Sequence, residues 1–221
     1  MKKVRKTSLS LFYKQKPRRA LSKKQKNLLK VTLRKFLFKK RNINNKKVFL
    51  EVGFGYGENL IHLSKNNTEK LIIGSEVYEP GIANVVEKIE ALNLKNICIY
   101  PKNIFSLFNI LKKNSIEKIF ILYPDPWPKK RHFKRRLISK TLLQKIHKIL
   151  KKNGLFFIST DSQSYLNAIL IEFFINKNFL WVNEKIKDCY KRPDELIESR
   201  YEKKANIKNN KKYFLKFKKK R

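Results

Sequence analysis

Residues 50–60 read LEVGFGYGENL, an apolar run that passes through an acid into three alternating glycines. The segment KVFLEV, residues 47–52, predicts a buried strand. Gly53, Gly55 and Gly57 follow it, and the apolar spacing after the third glycine predicts a helix. A glycine-rich turn between a strand and a helix lets a ligand approach the backbone without obstruction by a Cβ atom. The stretch therefore predicts a ligand loop at the carboxyl end of the first strand of an α/β sheet.

The spacing of the glycines separates two classes of cofactor. A dinucleotide fingerprint, G-x-G-x-x-G, would place its third glycine at position 58, where this chain has Glu58. The pattern here is E-x-G-x-G-x-G, in which Glu51 precedes the first glycine. A carboxylate at the strand tip attracts the ammonium and sulfonium groups of S-adenosylmethionine and repels a pyrophosphate. The loop therefore predicts S-adenosylmethionine rather than NAD as the ligand. The alternative is that the glycines are needed only for packing and bind no ligand.

Outward from this loop, short β-rich runs alternate with stretches that have helical length and spacing. The five runs are KVFLEV (47–52), LIIGSEV (71–77), NICIY (96–100), KIFILY (118–123) and LFFIST (155–160). The predicted helices span residues 57–66, 80–92, 104–113, 135–152 and 162–176. Two late runs, NFLWVNEKI and KYFLKFK, predict antiparallel strands at one edge, separated by a polar stretch without a helical pattern. The predicted fold is α/β, a mostly parallel sheet with an antiparallel edge and helices on both faces.

The length and composition allow one well-buried domain. A chain of 221 residues with 42% hydrophobic content is long enough for one core and short for two. We expect a single domain over residues 22–221, preceded by a basic, mobile arm over residues 1–21. Ser22 and Gln25 have the spacing of a capping box, so the domain should begin with a helix that runs to about Lys39.

The charge of the chain predicts a polyanionic partner. It has 54 Lys and Arg against 17 Asp and Glu, a formal net charge of +37. Nucleic acid is the first partner to consider, because so large a charge repels itself unless a polyanion or counterions neutralise part of it. Lys, Asn and Ile are frequent along the whole chain, as an adenine/thymine-rich genome would produce. Clusters that contain Arg are therefore more informative than scattered Lys.

No metal site or membrane span is expected. Cys98 and Cys189 lie far apart, and no Cys and His residues have the spacing of a zinc site. No segment has the length and apolarity of a membrane span or of a signal peptide. We expect a cytoplasmic protein that acts as a monomer or homodimer.

Polar side chains follow three other predicted strands. Glu76, after the second strand, stands where a doubly wound sheet places the carboxylate that binds two ribose hydroxyls. Asn103, after the third, has an amide suited to an adenine edge, and a helix cap is an equal alternative. Asp161, after the fifth, predicts either a substrate contact or the cap of the following helix.

The fourth predicted strand leads into ILYPDPWPKKRHFKRR, residues 121–136. Asp125 should lie on the wall of the crevice outside the strand ends, and the three surrounding prolines restrict its backbone. Trp127 could stack on a base or fill a surface notch. The cations that follow would oppose the macrodipole if they open a helix, so phosphate binding explains them better. They are Lys129, Lys130, Arg131, Lys134, Arg135 and Arg136.

These motifs together resemble the bacterial tRNA (guanine-N7-)-methyltransferases. The segments LEVGFGYG, IGSEVYEPG, YPDPWPKKRHFKRR, STD and RPDELIESR have the order and spacing of that family. The resemblance covers nearly the whole chain, and the proline-bounded aspartate with its basic run is its most specific part. It implies a Rossmann-like class I methyltransferase that uses S-adenosylmethionine to methylate N7 of a guanine in the variable loop of tRNA.

The resemblance also implies roles for particular positions. Asp125 falls on the proposed catalytic position and on a cofactor contact. The other cofactor positions are Glu51, Glu76 and Asn103, beside the loop glycines Gly53, Gly55 and Gly57. The substrate positions are Lys129, Asp161, Glu195, Leu196, Ile197 and Glu198. The RNA-interaction stretch contains Arg131, Lys134, Arg135 and Arg136.

Two positions depart from the family pattern. The family usually has Asp where this chain has Asn103, which loses a charge and keeps an acceptor. The late motif R-P-x-T-K-F-E-x-R has its Thr and Lys replaced by Glu195 and Leu196, while Glu198 and Arg200 are kept. The alternatives are a class I methyltransferase that acts on another RNA or on protein, and a non-catalytic RNA-binding relic of the fold. An NAD-dependent dehydrogenase is disfavoured by the glycine spacing.

Overall fold

The computed structural model of the chain describes residues 19–43 and 46–220. Most of the predicted basic arm, residues 1–18, lies outside this part. The described part of the chain begins with the predicted helix: Oγ of Ser22 accepts from the backbone N–H of Gln25, and the backbone N–H of Ser22 donates to Oε1 of Gln25, a complete capping box. The helical stretch runs as α1, Lys23–Asn27, a π-helical turn, Leu28–Thr32, and α2, Leu33–Phe36.

Within the described residues, seven strands form one sheet in the order β3-β2-β1-β4-β5-β7-β6. The first five pair in parallel, whereas β7 runs antiparallel to β5 and β6 antiparallel to β7. The strands are β1 Val48–Val52, β2 Leu71–Ser75, β3 Ile97–Tyr100, β4 Ile116–Leu122, β5 Leu150–Thr160, β6 Phe179–Trp181 and β7 Tyr213–Lys219. The predicted mostly parallel sheet with an antiparallel edge is confirmed.

Helices cover both faces of this sheet, as predicted. They are α3 Glu58–Asn66, α4 Glu79–Ala91, α5 Ile104–Phe108, α6 Lys140–Ile149, α7 Gln163–Ile175 and α8 Arg200–Ile207. The sheet has a hydrophobic core on each face, and alternate residues of β1 belong to different cores. Leu50 packs with α5, α6 and α7 on one face, and Phe49 packs with α3, α4 and the first helical stretch on the other. This period of two is what a strand buried on both faces produces.

Several predicted boundaries were wrong, and one helix was not predicted. The helix predicted over 104–113 ends at Phe108, and the one predicted over 135–152 begins only at Lys140, where the Ser139 side chain caps it. The polar stretch between the late strands contains a helix, α8, capped by Ser199. The run NFLWVNEKI contributes only three residues to the sheet. Apolar spacing does not specify such ends, because single side-chain caps decide them.

The strand order fixes the place of the site. After β1 the chain builds β2 and β3 on one side, and then returns to place β4 on the other side of β1. Ligands of open α/β sheets bind outside the carboxyl ends of the strands at such a reversal. The loops that follow β1, β2 and β4 therefore converge.

Candidate active site

A cavity of about 470 Å³ lies at this reversal. Its walls come from the glycine loop after β1, the acid after β2, the segment after β3, the proline-bounded loop after β4, the end of the basic run with the start of α6, and one residue of α8. Gly55, Glu76, Asp125 and Tyr201 represent four of these elements. The structure thus brings together residues from distant parts of the chain, from Val52 to Tyr201.

The glycine loop has a backbone that only glycine adopts at low cost. Gly57, the residue before α3, has φ +76°, and a Cβ atom there would lie 2.1 Å from Cγ2 of Val85. Gly53 and Gly55 also have positive φ and line the cavity. The loop is therefore left-handed at three positions, and its backbone faces the cavity directly.

Glu76 is held firmly at the end of β2. Its carboxylate accepts hydrogen bonds from the backbone N–H groups of Gly55 at 2.8 Å, Val77 at 2.6 Å and Tyr78 at 3.0 Å. Burial raises the pKa of the Glu76 carboxyl group, although these hydrogen bonds favour its ionised form. These three donors fix the orientation of the carboxylate. Its unused lone pairs therefore have a fixed direction in which they can accept hydrogen bonds from a ligand.

Glu51 is buried at the end of β1, with 3% of its surface exposed, and is not part of the cavity wall. It accepts a hydrogen bond from Nδ2 of Asn59 at 3.1 Å. Burial raises the pKa of Glu51 to about 8, and the nearby charges of Glu58 and Glu76 add to the effect. Because the ionised form is disfavoured without a compensating cation, this acid is suited to a positively charged ligand.

Asn103 is used locally as a helix cap. Its Oδ1 atom accepts a hydrogen bond from the backbone N–H of Phe105 at 2.9 Å, at the start of α5. The capping alternative is thus confirmed. Its neighbours Lys102, Ile104 and Phe105 line the cavity, whereas Asn103 does not.

Asp125 lies on the cavity wall, as expected from its place after β4. The residues two positions to either side have left-handed backbones, Tyr123 with φ +50° and Trp127 with φ +44°. A non-glycine residue in this region is strained. The loop that carries Asp125 therefore needs contacts that hold it in place.

The basic run does not open a helix. Lys130–Arg135 form a short 3-10 turn, and α6 begins five residues after it, so the macrodipole argument for these cations was wrong. Lys129, Lys130, Arg131 and Lys134 are exposed. Lys134 and Arg135 reach the cavity wall, and the Arg135 guanidinium lies 4.9 Å from the centre of the Trp127 ring.

Arg136 differs from the rest of the run. It is 9% exposed, and Nε donates to the carbonyl oxygen of Pro126 at 2.8 Å. Nη1 and Nη2 donate to the carbonyl oxygen and to Oγ of Ser164, at 3.1 and 3.0 Å. Arg136 was predicted to belong to the RNA-interaction stretch; in the structure each of its three nitrogens donates to a protein acceptor, and the residue also lines the cavity.

The structure does not bring the late motif to the cavity as one unit. Glu195 forms ion pairs with Lys118 at 3.2 Å and with Lys216 at 3.9 Å. Burial alone would raise its carboxyl pKa, but a backbone hydrogen bond and these lysines lower it below its usual value. Leu196 is buried in the core, and Ile197 is 40% exposed. Neither Glu195 nor Leu196 replaces the chemistry of the family's Thr and Lys at the cavity.

Two further acids of the predicted site lie near α8. Asp161 accepts a hydrogen bond from Nδ2 of Asn210 at 3.0 Å, and Glu198 accepts one from Nδ2 of Asn206 at 2.8 Å. The cap of α7 is Ser162, so the alternative that Asp161 caps this helix was wrong.

Sequence reasoning missed Tyr201, which lines the cavity from α8. Its ring lies against the glycine loop, 3.3 Å from where a Cβ atom of Gly55 would stand. Arg200 fixes this end of α8 on the loop, because its Nε lies 3.0 Å from Oε1 of Glu58 and its guanidinium 3.6 Å from the centre of the Tyr56 ring. The only sequence signal for Tyr201 was the preceding Arg200 of the late motif, and this arginine does not specify which residue follows it or what that residue contacts.

Comparison with known proteins places this site in a family. Residues 45–215 match a family described as putative methyltransferase. The tRNA (guanine-N(7)-)-methyltransferase of Jannaschia sp. (strain CCS1) is 37% identical over 166 residues, which cover 75% of this chain and 70% of that protein. The chain belongs to the tRNA (guanine-N(7)-)-methyltransferase family. The resemblance seen in its motifs is confirmed.

Members of this family occur alone and as parts of longer chains. A bifunctional methyltransferase of Rickettsia conorii is 37% identical over 200 residues, 90% of this chain and 38% of that protein. Among solved structures, a putative methyltransferase from Streptococcus mutans in complex with SAH matches with a TM-score of 0.52 and 15% identity, over 90% of this chain and 99% of that one. At that identity the match shows the fold alone, which is the methyltransferase fold.

The cofactor of this family member is S-adenosylmethionine. The residues present fit a cationic ligand of this kind. Glu51 forms no ion pair within the described residues, and Oδ1 of its partner Asn59 is buried without a hydrogen-bond partner there. A buried acid near the end of β1 and a buried acceptor in the first turn of α3 are suited to a ligand that carries positive charge and N–H donors.

The contact between α4 and the glycine loop gives a first prediction. A Cβ atom at Gly81 would lie 2.0 Å from the carbonyl oxygen of Gly55. We expect Gly81→Ala to displace the loop, to lower the free energy of unfolding by about 1–3 kcal/mol, the usual cost of overpacking, and to weaken S-adenosylmethionine binding. Urea unfolding measures the loss of stability, and titration calorimetry measures the loss of affinity. The matched control is Gly154→Ala, which crowds Leu150 and the Lys151 carbonyl far from the loop and should leave cofactor affinity unchanged.

Residues 19–43 and 46–220 contain neither a helix that could span a membrane nor a cluster that could hold a metal ion. None of the helices there is long and apolar enough to cross a membrane. The same residues contain no group of three or more His, Cys, Asp or Glu side chains able to hold a metal ion.

Proposed function

We propose that this enzyme transfers the methyl group of S-adenosylmethionine to N7 of a guanine in the variable loop of tRNA. The observation that carries the proposal is that one cavity joins the glycine loop, Asp125 and the cations Lys134 and Arg135. The glycine loop suits the cofactor, the carboxylate of Asp125 suits a developing positive charge, and the two cations suit a phosphate backbone. Family membership supports the same substrate and reaction.

The proposed cofactor contacts come from the ends of β1, β2 and β3. The backbone of Gly53, Gly55 and Gly57 allows close approach, and the buried Glu51 is proposed to compensate the charge of the ammonium end. Glu76 is proposed to bind the ribose hydroxyls, since its fixed carboxylate lines the cavity. For Asn103 we propose a contact to the adenine through its amide Nδ2, because its Oδ1 atom is used in the helix cap.

The chemistry asked of the protein is mainly positioning. When bound, S-adenosylmethionine supplies an electrophilic methyl group. N7 of guanine has a free lone pair at neutral pH, so no residue has to remove a proton before the transfer. The cavity must align N7 with the methyl group, and holding two reactants in line supplies a large part of the rate enhancement.

Asp125 is the proposed catalytic residue. The guanine gains positive charge as its N7 is methylated, and a fixed carboxylate beside it stabilises that charge in the transition state. The prolines around Asp125 reduce the entropy lost in holding it still. Its role is therefore electrostatic and through hydrogen bonds to the base edge, without an obligatory proton transfer.

The proposed substrate contacts are narrower than the family pattern. Lys129, Asp161 and Glu198 are kept as proposals, and their side chains are exposed or half-buried. Glu195 and Leu196 are proposed to support the fold around them, because one is ion-paired with β4 and β7 and the other is buried. Ile197 can reach RNA only through its exposed side chain.

Nucleoside analysis tests the proposed reaction. Purified enzyme is incubated with an unmodified tRNA transcript and methyl-labelled S-adenosylmethionine, and the digested nucleosides are separated by mass spectrometry. The expected product is labelled 7-methylguanosine at about one per tRNA. Label in another nucleoside or in the protein would favour a different class I methyltransferase, and no label at all would favour a non-catalytic RNA-binding protein.

Salt dependence tests the phosphate role of the exposed cations. The affinity for tRNA should fall steeply with salt, because cations that contact phosphates release counterions on binding. We expect Arg131→Gln to reduce the slope of log affinity against log salt by about 1. Filter binding over a series of salt concentrations measures the slope. The matched control is Arg34→Gln, an exposed arginine on α2 that should not change it, and an unchanged slope for Arg131→Gln would contradict the role.

A further inference from the structure

Arg136 ends the basic run in sequence but belongs to the interior in space. Its guanidinium lies 3.8 Å from the centre of the Phe133 ring and 5.0 Å from that of Tyr165, and it is nearly inaccessible to solvent. A phosphate ligand needs free N–H groups at the surface. Nε, Nη1 and Nη2 of Arg136 each donate to a protein acceptor, which uses three of the five N–H groups of the guanidinium, and only 9% of the residue is exposed where it lines the cavity.

These acceptors belong to two elements that the catalytic acid depends on. One is the carbonyl oxygen of Pro126, the residue directly after Asp125, and the other two are on Ser164 in the first turn of α7. The same turn supplies Tyr165, whose hydroxyl accepts from the backbone N–H of Ile138. The Arg136 guanidinium therefore ties the loop of Asp125 to a rigid helix on the face of the sheet.

The loop needs such a restraint because its backbone is strained. Tyr123 and Trp127 are both left-handed, and each such residue costs about 1–3 kcal/mol that the surroundings must offset. On the Tyr123 side, the strained backbone N–H donates to the carbonyl oxygen of Ser159 on β5 at 2.9 Å. On the Trp127 side, the hydrogen bond from Nε of Arg136 to the carbonyl oxygen of Pro126 restrains the backbone in the same way.

We propose that Arg136 is a positioning residue that holds Asp125 in its productive place, and that it is not a ligand of the RNA. The inference rests on the proposed function of Asp125. Arginine is required because its planar fork reaches three acceptors in different directions, whereas a lysine ammonium on a flexible stem cannot reproduce that geometry.

The conservative variant Arg136→Lys separates the two roles. A lysine still binds phosphate, so a residue whose task is RNA binding tolerates the change, while a residue that positions a loop does not. We expect the single-turnover rate at saturating tRNA to fall about 100-fold, the size of effect that a displacement of about 1 Å produces. The tRNA dissociation constant and its salt slope should stay within about twofold of wild type, since no phosphate contact is lost. The matched control is Arg34→Lys, which makes the same change on an exposed helix.

Folding and function are checked separately. Thermal unfolding and S-adenosylmethionine affinity report whether Arg136→Lys is folded, and 7-methylguanosine formation by wild type reports the proposed function itself. If the variant does not fold, Ser164→Ala replaces it, because this change removes the Oγ acceptor of Arg136 and, besides that, only the 3.3 Å hydrogen bond between Oγ of Ser164 and Oγ of Ser162. That variant should lose about threefold to tenfold in single-turnover rate, as expected for one hydrogen bond, with tRNA affinity unchanged. A wild-type rate at saturating tRNA in either folded variant overturns the proposal, as does a loss confined to tRNA affinity.

Discussion

Replacing Asp125 with alanine should abolish most methyl transfer and leave S-adenosylmethionine bound. The carboxylate lies on the cavity wall between the glycine loop and the basic turn, where the guanine is proposed to gain positive charge. Removing one such preorganised group typically lowers the rate by about 10²–10³. Single-turnover assays at saturating tRNA and cofactor measure this loss, and calorimetry measures cofactor affinity.

Two further variants make the Asp125 experiment specific. Asp125→Asn keeps the size and the hydrogen-bonding oxygen but removes the charge, so it should lose most of the same rate if the field of the carboxylate matters. Asp194→Ala removes an exposed acid outside the cavity and should behave as wild type. A single-turnover rate near wild type in Asp125→Ala would contradict the assignment of Asp125 as the catalytic residue.

Replacing Glu51 with glutamine should remove most of the affinity for S-adenosylmethionine. The amide has the same shape but cannot compensate the ammonium of the cofactor, and losing one partner of a buried charge pair costs about 2–5 kcal/mol. Because burial raises the pKa of Glu51 to about 8, the wild-type acid must ionise to bind a cation. Cofactor affinity of wild type should therefore rise as the pH increases from about 6 to about 7.5, below the range in which an α-amino group loses its proton, and that of Glu51→Gln should change less.

The same acid makes a prediction for the cofactor-free protein. The pKa of Glu51 is about 8 in the folded state against 4.5 for a glutamate in water, so between these values the folded state holds a proton that the unfolded state releases. The free energy of unfolding should then decrease with rising pH across this window, by up to about 1.4 kcal/mol per pH unit from this group, and Glu51→Gln should remove that slope. Urea unfolding at pH 5, 7 and 9 measures it. Equal slopes for wild type and variant would contradict the burial of an unpaired acid.

The sheet and the glycine loop were predictable because their signals are local. Strand runs, the glycines and the position of Asp125 after β4 all follow from hydrophobic patterning and from the rule that ligands bind at the carboxyl ends of strands. The antiparallel edge followed from two late β-rich runs without a helical connection, although α8 lies between them. This helix has a polar composition, and its cap at Ser199 was its main local sign.

The parts of the site that were missed depend on contacts between distant segments. Arg136 is part of a run of cations, so the sequence predicts the same exposed role for it as for its neighbours. Its side chain is buried because α7, which supplies the acceptors on Ser164, packs close to the loop after β4. Tyr201 reaches the cavity because Arg200 binds Glu58, 142 positions earlier in the chain. Glu195 is held by Lys118 and Lys216 on two strands that no local pattern connects to it. Such pairs are tertiary information, which a single sequence does not encode locally.

The most direct test of the central claim removes the atom that is proposed to be methylated. Two otherwise identical tRNAs are compared, one with guanosine and one with 7-deazaguanosine at the guanine of the variable loop, where a carbon replaces N7 and its lone pair. Both should bind with the same affinity, because phosphate contacts dominate binding. The account predicts that labelled methyl enters only the guanosine tRNA, as 7-methylguanosine at that position. Equal labelling of both tRNAs would contradict it.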